Sequence, residues 1–513
     1  METQVLIIGG GATGTGLARD LALRGVQCIV AEKGDINAGA SGANHGLLHS
    51  GARYVYTDPA VTKECREESE FLKTLAPHCI ENTGGLFVAV EGDDEKYVAD
   101  FPHLCSRCGI PVRTLDIKDA RELEPALSKN LIAAYAVDDA TIDPFKLSLE
   151  NISQAQQLGT TLLCYNKIVG FKKSGNRIKS AYLLNTKTGE EIIVEAGQVV
   201  NAAGVWVGEV AALAGISIGT LYSKGSLLVT DNRLTKLVIN RLRRPADGDI
   251  LVPGGTVSIL GTTSVRIKSL DKIFPSIEEV DLIVNEGAAM IPVLEATRYI
   301  RAYAGVRPLI SSQGGIDDRS VSRNFVLLDH IQNGLENFAT IPGGKLTTYR
   351  FMAEKTADLV CQRLGVSSPC LTRTEPLPCT QASKWTEPGL GPRWWFKEKH
   401  TNESLLCECE MLSTSVIDSV IKSIQKQNGT LSLKAIGLRS RVGKGPCQGT
   451  SCGERVIGYM YEQGLLDSEQ GLTDLRDFLC ERWMGERPVL WAEQLIQAEL
   501  KEALYCGLSN LDL

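Results

Sequence analysis

The first 32 residues place the strictest limit on what this chain can fold into. The segment "TQVLIIGGGATGTGLARDLALRGVQCIVAE" (3–32) reads as an apolar strand, a glycine turn, a helix from about Thr13 to Arg24, and a second strand ending at Glu32. A βαβ unit of this kind commits the chain to a parallel sheet with helices packed on it. Gly9, Gly11 and Gly14 fit the pattern G-x-G-x-x-G. The first glycine permits the tight turn, the second lets backbone approach a pyrophosphate, and the third lets helix pack on strand. The helix N-terminus then offers free N–H groups and a favourable dipole to phosphate. Glu32 lies 18 residues beyond Gly14, where an acidic side chain accepts hydrogen bonds from a ribose 2′-OH. The unit therefore predicts a dinucleotide site, and by itself leaves FAD and NAD open.

The remaining length must supply more than this one unit. A chain of 513 residues exceeds a single core and implies two to four domains. Its formal net charge of -7 provides no basic field for nucleic acid. No segment offers the run of roughly 20 apolar residues that spans a bilayer, and the N-terminal apolar run lacks a basic region ahead of it. These features point to a cytosolic protein able to dock on a membrane partner. Fifteen cysteines, unevenly placed, fit a reducing compartment better than a disulfide framework.

Between Gly34 and Gly51 the chain carries glycine at positions 34, 39, 42, 46 and 51, with Ser41 and Asn44 among them. Such density implies close backbone approach to something large and flat. A flavin extending from the first unit suits this better than a nicotinamide. The stretch "NHGLLHSGARYV" (44–55) also gathers two histidines, an arginine and a tyrosine, which packing alone does not explain. Two later segments, "VVNAAGVW" (199–206) and "TIPGGKLTTYR" (340–350), read as returns to the same cofactor domain. Between them, "SKGSLLVTD", "DILVPGG", "TVSILGTTSV" and "YAGVRPLI" predict an antiparallel sheet roofing the flavin. The expected cofactor-binding set is Gly9, Gly11, Gly14, Glu32, Lys33, Ser41, Gly42, Asn44, Gly46, Leu47, Ala203, Gly204, Gly343 and Gly344.

The C-terminal third changes character. Residues 366–400 are rich in proline and turn formers and read as a linker. Beyond them, Cys407-x-Cys409 and Cys447-x4-Cys452 form two close pairs separated by 37 residues. Four thiols from two loops suit an iron–sulfur cluster or zinc, and a site that has lost its metal is the bland alternative. Cys105 and Cys108 lie on an expected helix with no second pair nearby, and Cys28, Cys65, Cys164 and Cys361 read as small core residues.

Taken together, "IIGGGATGTGLARDLALRG", "GASGANHGLLHSGARYV", "YAGVRPL" and "GGKLTTYR" resemble the FAD-dependent glycerol-3-phosphate dehydrogenases, within the glutathione-reductase-like flavoproteins. The cysteine-bearing part narrows the resemblance to the large catalytic subunits of the anaerobic members. "GPCQG" and the cysteine spacing resemble the [2Fe-2S] domain related to bacterioferritin-associated ferredoxin. The implied fold is α/β: a glutathione-reductase-like FAD-binding Rossmann domain, an antiparallel β-sheet cap, and a small iron–sulfur domain. The implied boundaries are 1–365 for the oxidoreductase domain, with cap segments near 52–145 and 222–325. The linker follows at 366–400, the [2Fe-2S] domain at 401–465 and a helical tail at 466–513.

The resemblance also implies chemistry. Arg53, Tyr54, Arg307 and Lys345 would face the substrate side of the flavin, with Thr348 beside them. Arginine's planar fork suits a phosphomonoester, so these cations would clamp it. The implied reaction moves hydride from C2 of sn-glycerol 3-phosphate to flavin, giving dihydroxyacetone phosphate. His49 is the candidate base, with Arg307 or Lys345 polarising the alkoxide. Single electrons would then pass through [2Fe-2S] to two companion subunits, first another flavoprotein, then a membrane-associated iron–sulfur protein, and finally to quinone. The chain would sit peripherally on the cytoplasmic face through those partners. Two other readings stay open: an enzyme for a 2-hydroxy acid such as L-2-hydroxyglutarate, and an electron relay with an inert flavin site.

Overall fold

A computed structural model describes residues 1–271, 273–310, 325–378, 397, 403–427 and 429–512. Much of the linker expected at 366–400 lies outside these residues.

The strand Glu2–Ile8 is the centre of an eight-stranded sheet. It pairs in parallel with Cys28–Ala31 on one side and Glu191–Asn201 on the other. Thr161–Leu163 and Phe338–Thr340 continue the parallel array at either hand. One sheet is thus assembled from three separated parts of the chain. Its central strands read as near-continuous apolar runs because both faces are covered. Leu17, Leu21, Ala353 and Ala357 pack on one face, and Val210, Ala211, Leu335 and Phe338 belong to the core on the other. The first helix runs Ala12–Leu23, one residue from the predicted bounds. No side chain caps its N-terminus, whose neighbour is Gly11.

A second sheet of nine strands stands over the first. Its spine is the antiparallel pair Thr220–Thr230 and Tyr299–Ile310, which places Ser223 opposite Arg307 and Gly225 opposite Gly305. The expected antiparallel roof needs one correction. Val238–Arg241 runs parallel to Gly85–Val90, because these strands come from distant segments and no hairpin dictates their direction. The sheet is therefore mixed.

Residues 403–512 build their own core. Helix Thr414–Lys426 turns Val416, Ile417, Val420, Ile421 and Ile424 inward at helical spacing. Val456, Ile457 and Met460 meet them from helix Cys452–Glu462. Leu475, Phe478, Leu479, Trp483, Tyr505 and Leu511, from the region read as a tail, complete this same core. Two buried arginines fasten it to segments beside the first sheet, at Asp35 and Asp143. Arg439 pairs with Asp35 at 2.6 Å, both side chains 2% exposed. Arg441 lies 2.6 Å from Glu410 and 3.5 Å from Asp143. Among the described residues no helix is long and apolar enough to cross a membrane.

Candidate functional site

A cavity of about 800 Å³ runs from the glycine turn to the underside of the second sheet. Gly9 takes a φ of +115°, in the left-handed half of conformational space that glycine tolerates. A Cβ on Gly14 would strike the Gly9 carbonyl, so the helix seats against the turn only with glycine there. Gly9, Gly11 and Ala12 form the wall, and the open helix N-terminus faces the space. The cradle fits a pyrophosphate. Ser41 also borders the cavity, and its hydroxyl accepts the Ala12 N–H at 2.9 Å.

Glu32 follows the second strand as expected. Its carboxylate accepts the Gly10 and Gly34 N–H groups at 2.7 and 2.8 Å, and burial pushes its carboxyl above the usual range. Lys33 extends beside it with its ammonium 3.3 Å from the centre of the Trp206 ring. Asn44, Leu47, Ala203, Gly204, Gly343 and Gly344 also line the cavity. Gly14, Gly42 and Gly46, also expected in this set, are not part of that lining, and Gly42 and Gly46 border a neighbouring cavity instead. A Cβ at Gly42 would meet the Asn37 carbonyl, and one at Gly46 would lie 2.7 Å from the Ile142 carbonyl. At Gly42 and Gly46 the missing side chain lets distant backbone approach the loop.

At the far end the predicted substrate residues converge. His45, His49, Arg53, Tyr54, Arg307 and Lys345 all border the cavity. The His49 and Tyr54 rings lie 5.4 Å apart, and the Lys345 ammonium is 4.6 Å from the centre of the Tyr54 ring. Arg307 donates to the Thr262 hydroxyl at 2.6 Å and to the Thr263 carbonyl at 3.3 Å. Gly225, two positions along the paired strand from Ser223, makes room for it, since a Cβ there would lie 2.6 Å from the guanidinium. Arg53 donates to Asp249 at 2.9 Å, and Asp249 also accepts from Arg243 at 2.9 Å and from the Ala246 N–H at 2.6 Å. The backbone N–H of Ser50 and its hydroxyl both donate to Asp139 at 2.7 Å, fixing the turn between His49 and Arg53. Burial pushes the Asp139 carboxyl upward, and those hydrogen bonds pull it back.

Thr348 stands apart from the expected role. It is buried, its hydroxyl bonds the Lys345 backbone within a 3₁₀ turn, and Thr347 borders the cavity in its place. Thr347 also accepts the His49 N–H at 3.2 Å, tying the two distant loops together. Sequence reasoning missed Trp206, Asp249, Thr262 and Thr347. Only Trp206 carried a signal, as a large aromatic beside "NAAG".

The four predicted cysteines meet. Their thiols lie close enough to shift one another's protonation, Cys409 with Cys447, Cys447 with Cys452, and Cys452 with Cys407. Hydrogen bonds from Cys409 and Cys452 hold the Cys447 thiol well below its usual range. Among the described residues, no set of three or more His, Cys, Asp or Glu side chains is arranged to hold a metal ion. The donor set is four thiols from two loops, the kind that iron–sulfur clusters take. Cys105 and Cys108 are buried in a separate apolar cluster, as expected of core residues.

Residues 4–350 match the family model described as FAD dependent oxidoreductase. The chain is 41% identical to a subunit of the anaerobic glycerol-3-phosphate dehydrogenase of Escherichia coli K12, over 100% of this chain and 97% of that protein. It is 39% identical to the protein of the same name from Haemophilus influenzae, over 100% and 94% of the two chains. Among solved structures, the glycerol-3-phosphate dehydrogenase of Bacillus halodurans complexed with FAD shares the fold at a TM-score of 0.66 and 22% identity, covering 96% of this chain and 97% of that one.

Proposed function

The chain belongs to the FAD dependent oxidoreductase family, grouping with these anaerobic glycerol-3-phosphate dehydrogenase subunits, and we propose that it oxidises sn-glycerol 3-phosphate to dihydroxyacetone phosphate. The observation that carries this reading is convergence: Arg53, Arg307 and Lys345, from three distant segments, border one end of a cavity whose other end is a pyrophosphate cradle. A protein of net charge -7 holds a small phosphomonoester through such a local concentration of cations.

A bound flavin supplies the acceptor for the hydrogen and electron pair of substrate C2. Gly9, Gly11 and the Ala12–Leu23 helix N-terminus would hold its pyrophosphate, with Glu32 at the adenosine ribose. The chain's own residues do the rest. His49 takes the hydroxyl proton as the C2–H bond breaks. Arg307 and Lys345 hold the phosphate and the developing alkoxide, and Tyr54 shields the Lys345 ammonium on one side. Arg53, oriented by Asp249, completes the cationic end.

Cys407, Cys409, Cys447 and Cys452 would hold a [2Fe-2S] cluster, which passes electrons singly. The functional division we propose is oxidoreductase 1–365, linker 366–400, cluster-binding 401–465 and C-terminal helices 466–513. The relatives are named as subunits, which supports companion chains here; from the family resemblance we take these to be a second flavoprotein and a membrane-associated iron–sulfur protein, with quinone beyond them. The chain would then lie peripherally on the cytoplasmic face.

Anaerobic titration of the purified chain with sn-glycerol 3-phosphate tests the reading, with L-2-hydroxyglutarate as control. Bleaching of the flavin bands by the phosphate ester alone is expected. Bleaching by the hydroxy acid alone would reassign the cations to a carboxylate, and no bleaching by either would overturn the enzyme reading.

A further inference from the structure

The last helix, Glu493–Ser509, turns a row of apolar residues toward solvent. Ile496, Leu500, Leu504 and Leu508 recur at every fourth position and are 69%, 61%, 51% and 79% exposed. Single exposed leucines are ordinary on protein surfaces, but four in one helical row form a continuous ridge. Residues beside this row hold the helix down. Tyr505 is buried, its ring packs edge-on to Trp483 at 5.9 Å, and Lys501 pairs with Glu486 at 2.6 Å. The helix is thus anchored, with its apolar ridge left outward.

The anchor also gives the ridge a location. The Tyr505 hydroxyl donates to the Thr450 carbonyl, within the loop that connects Cys447 and Cys452. The ridge-bearing helix is thereby fastened to the cysteine loop. Charge narrows the choice of occupant. Lys501 is the helix's only base and is committed inward to Glu486, whereas Glu493, Glu499 and Glu502 are exposed. An anionic lipid surface attracts basic helices and repels this one. Two copies of this chain would bring acidic flanks together, while a different chain with an apolar groove and basic rim is complementary.

We propose that this ridge docks the companion subunit that receives the electrons, a different chain presenting an apolar groove flanked by lysine and arginine. The inference rests on the reading that the chain is one subunit of an assembly. Each oxidised substrate yields two electrons, and a redox centre in the companion is reduced by them.

The test uses the full flavin-containing chain co-produced with its companion, and compares wild type with Leu500→Asp/Leu504→Asp by size exclusion with light scattering. Both positions are exposed, so folding should survive, and unchanged flavin bleaching by glycerol 3-phosphate verifies that it has. The wild type should co-elute with the companion, and the double variant should bind at least about 100-fold more weakly. Glu499→Lys/Glu502→Lys should weaken association about tenfold at low salt and less at high salt. Co-elution of the leucine variant overturns the proposal. So does a wild-type dimer, without companion, that the leucine variant splits, or binding to phosphatidylglycerol vesicles that it abolishes. If wild type and companion never associate while the flavin still bleaches with glycerol 3-phosphate, the docking surface and the assembly reading fall and the catalytic reading stands.

Discussion

Arg53 reaches the cavity in the grip of Asp249: the guanidinium donates at 2.9 Å to a carboxylate that is itself fully buried. The same carboxylate holds Arg243, so one buried acid orients two arginines from separate segments. Arg53 therefore enters the site as half of an ion pair, and its contribution to anion binding depends on Asp249 keeping it in place.

Asp249→Asn should act on both stability and substrate binding. Removing one partner of a buried ion pair leaves the other uncompensated, at a cost of about 3 kcal/mol. We expect a thermal midpoint lower by several degrees and a raised KM for glycerol 3-phosphate, with kcat less affected. A variant with wild-type melting and KM would show that Arg53 does not need its partner.

His49→Asn keeps a polar side chain of similar size and removes the proton acceptor. Loss of a general base typically slows the step it serves by roughly 10²–10⁴-fold. Stopped-flow reduction of the flavin should slow by about that factor, while substrate affinity changes little. Near-normal reduction would remove His49 from the mechanism and turn attention to His45, which borders the same cavity.

Cys452→Ser tests the thiol cluster separately from the flavin. Chain purified without oxygen should carry iron and acid-labile sulfide in equal amounts, and the variant should lose both while keeping its FAD. Wild-type chain containing zinc and no sulfide would replace the iron–sulfur assignment.

Acid stability should depend on His78. Burial, with the nearby Lys146 charge, lowers its pKa to about 4, and its Nε2 lies buried without a hydrogen-bond partner among the described residues. A depressed imidazole favours the neutral native form, so its contribution is complete above the unfolded value of about 6.5. Between there and about 4 the unfolded chain binds the proton first, and stability falls as pH falls. Allowing for partial solvent screening, about 1–2 kcal/mol should be lost from pH 7 to pH 5. His78→Gln should flatten that part of the melting profile. An identical pH slope in both proteins would exclude His78 as the source.

The first βαβ unit was legible almost to the residue because its signals are local. Apolar periodicity, positive-φ glycine and a terminal acid each act within a few positions, and the helix Ala12–Leu23 follows from them. The glycine-rich loop was legible in location, but not the tertiary contacts its glycines admit. Gly42 and Gly46 make room for the Asn37 and Ile142 carbonyls, contacts that depend on where distant backbone comes to rest.

By itself the sequence marked the glycine turn of a dinucleotide cradle and the two close cysteine pairs, since residue type and spacing suffice for these, whereas the cations were named through the family resemblance. Only the tertiary structure decided how they are used. The pairing of Arg53 with Asp249 spans 196 positions, and the bond from His49 to Thr347 spans 298. The outward leucine ridge exists because Tyr505 is drawn onto the cysteine loop. Local periodicity marks one face of a helix as apolar, but which face meets the core is settled by what the rest of the chain packs against it.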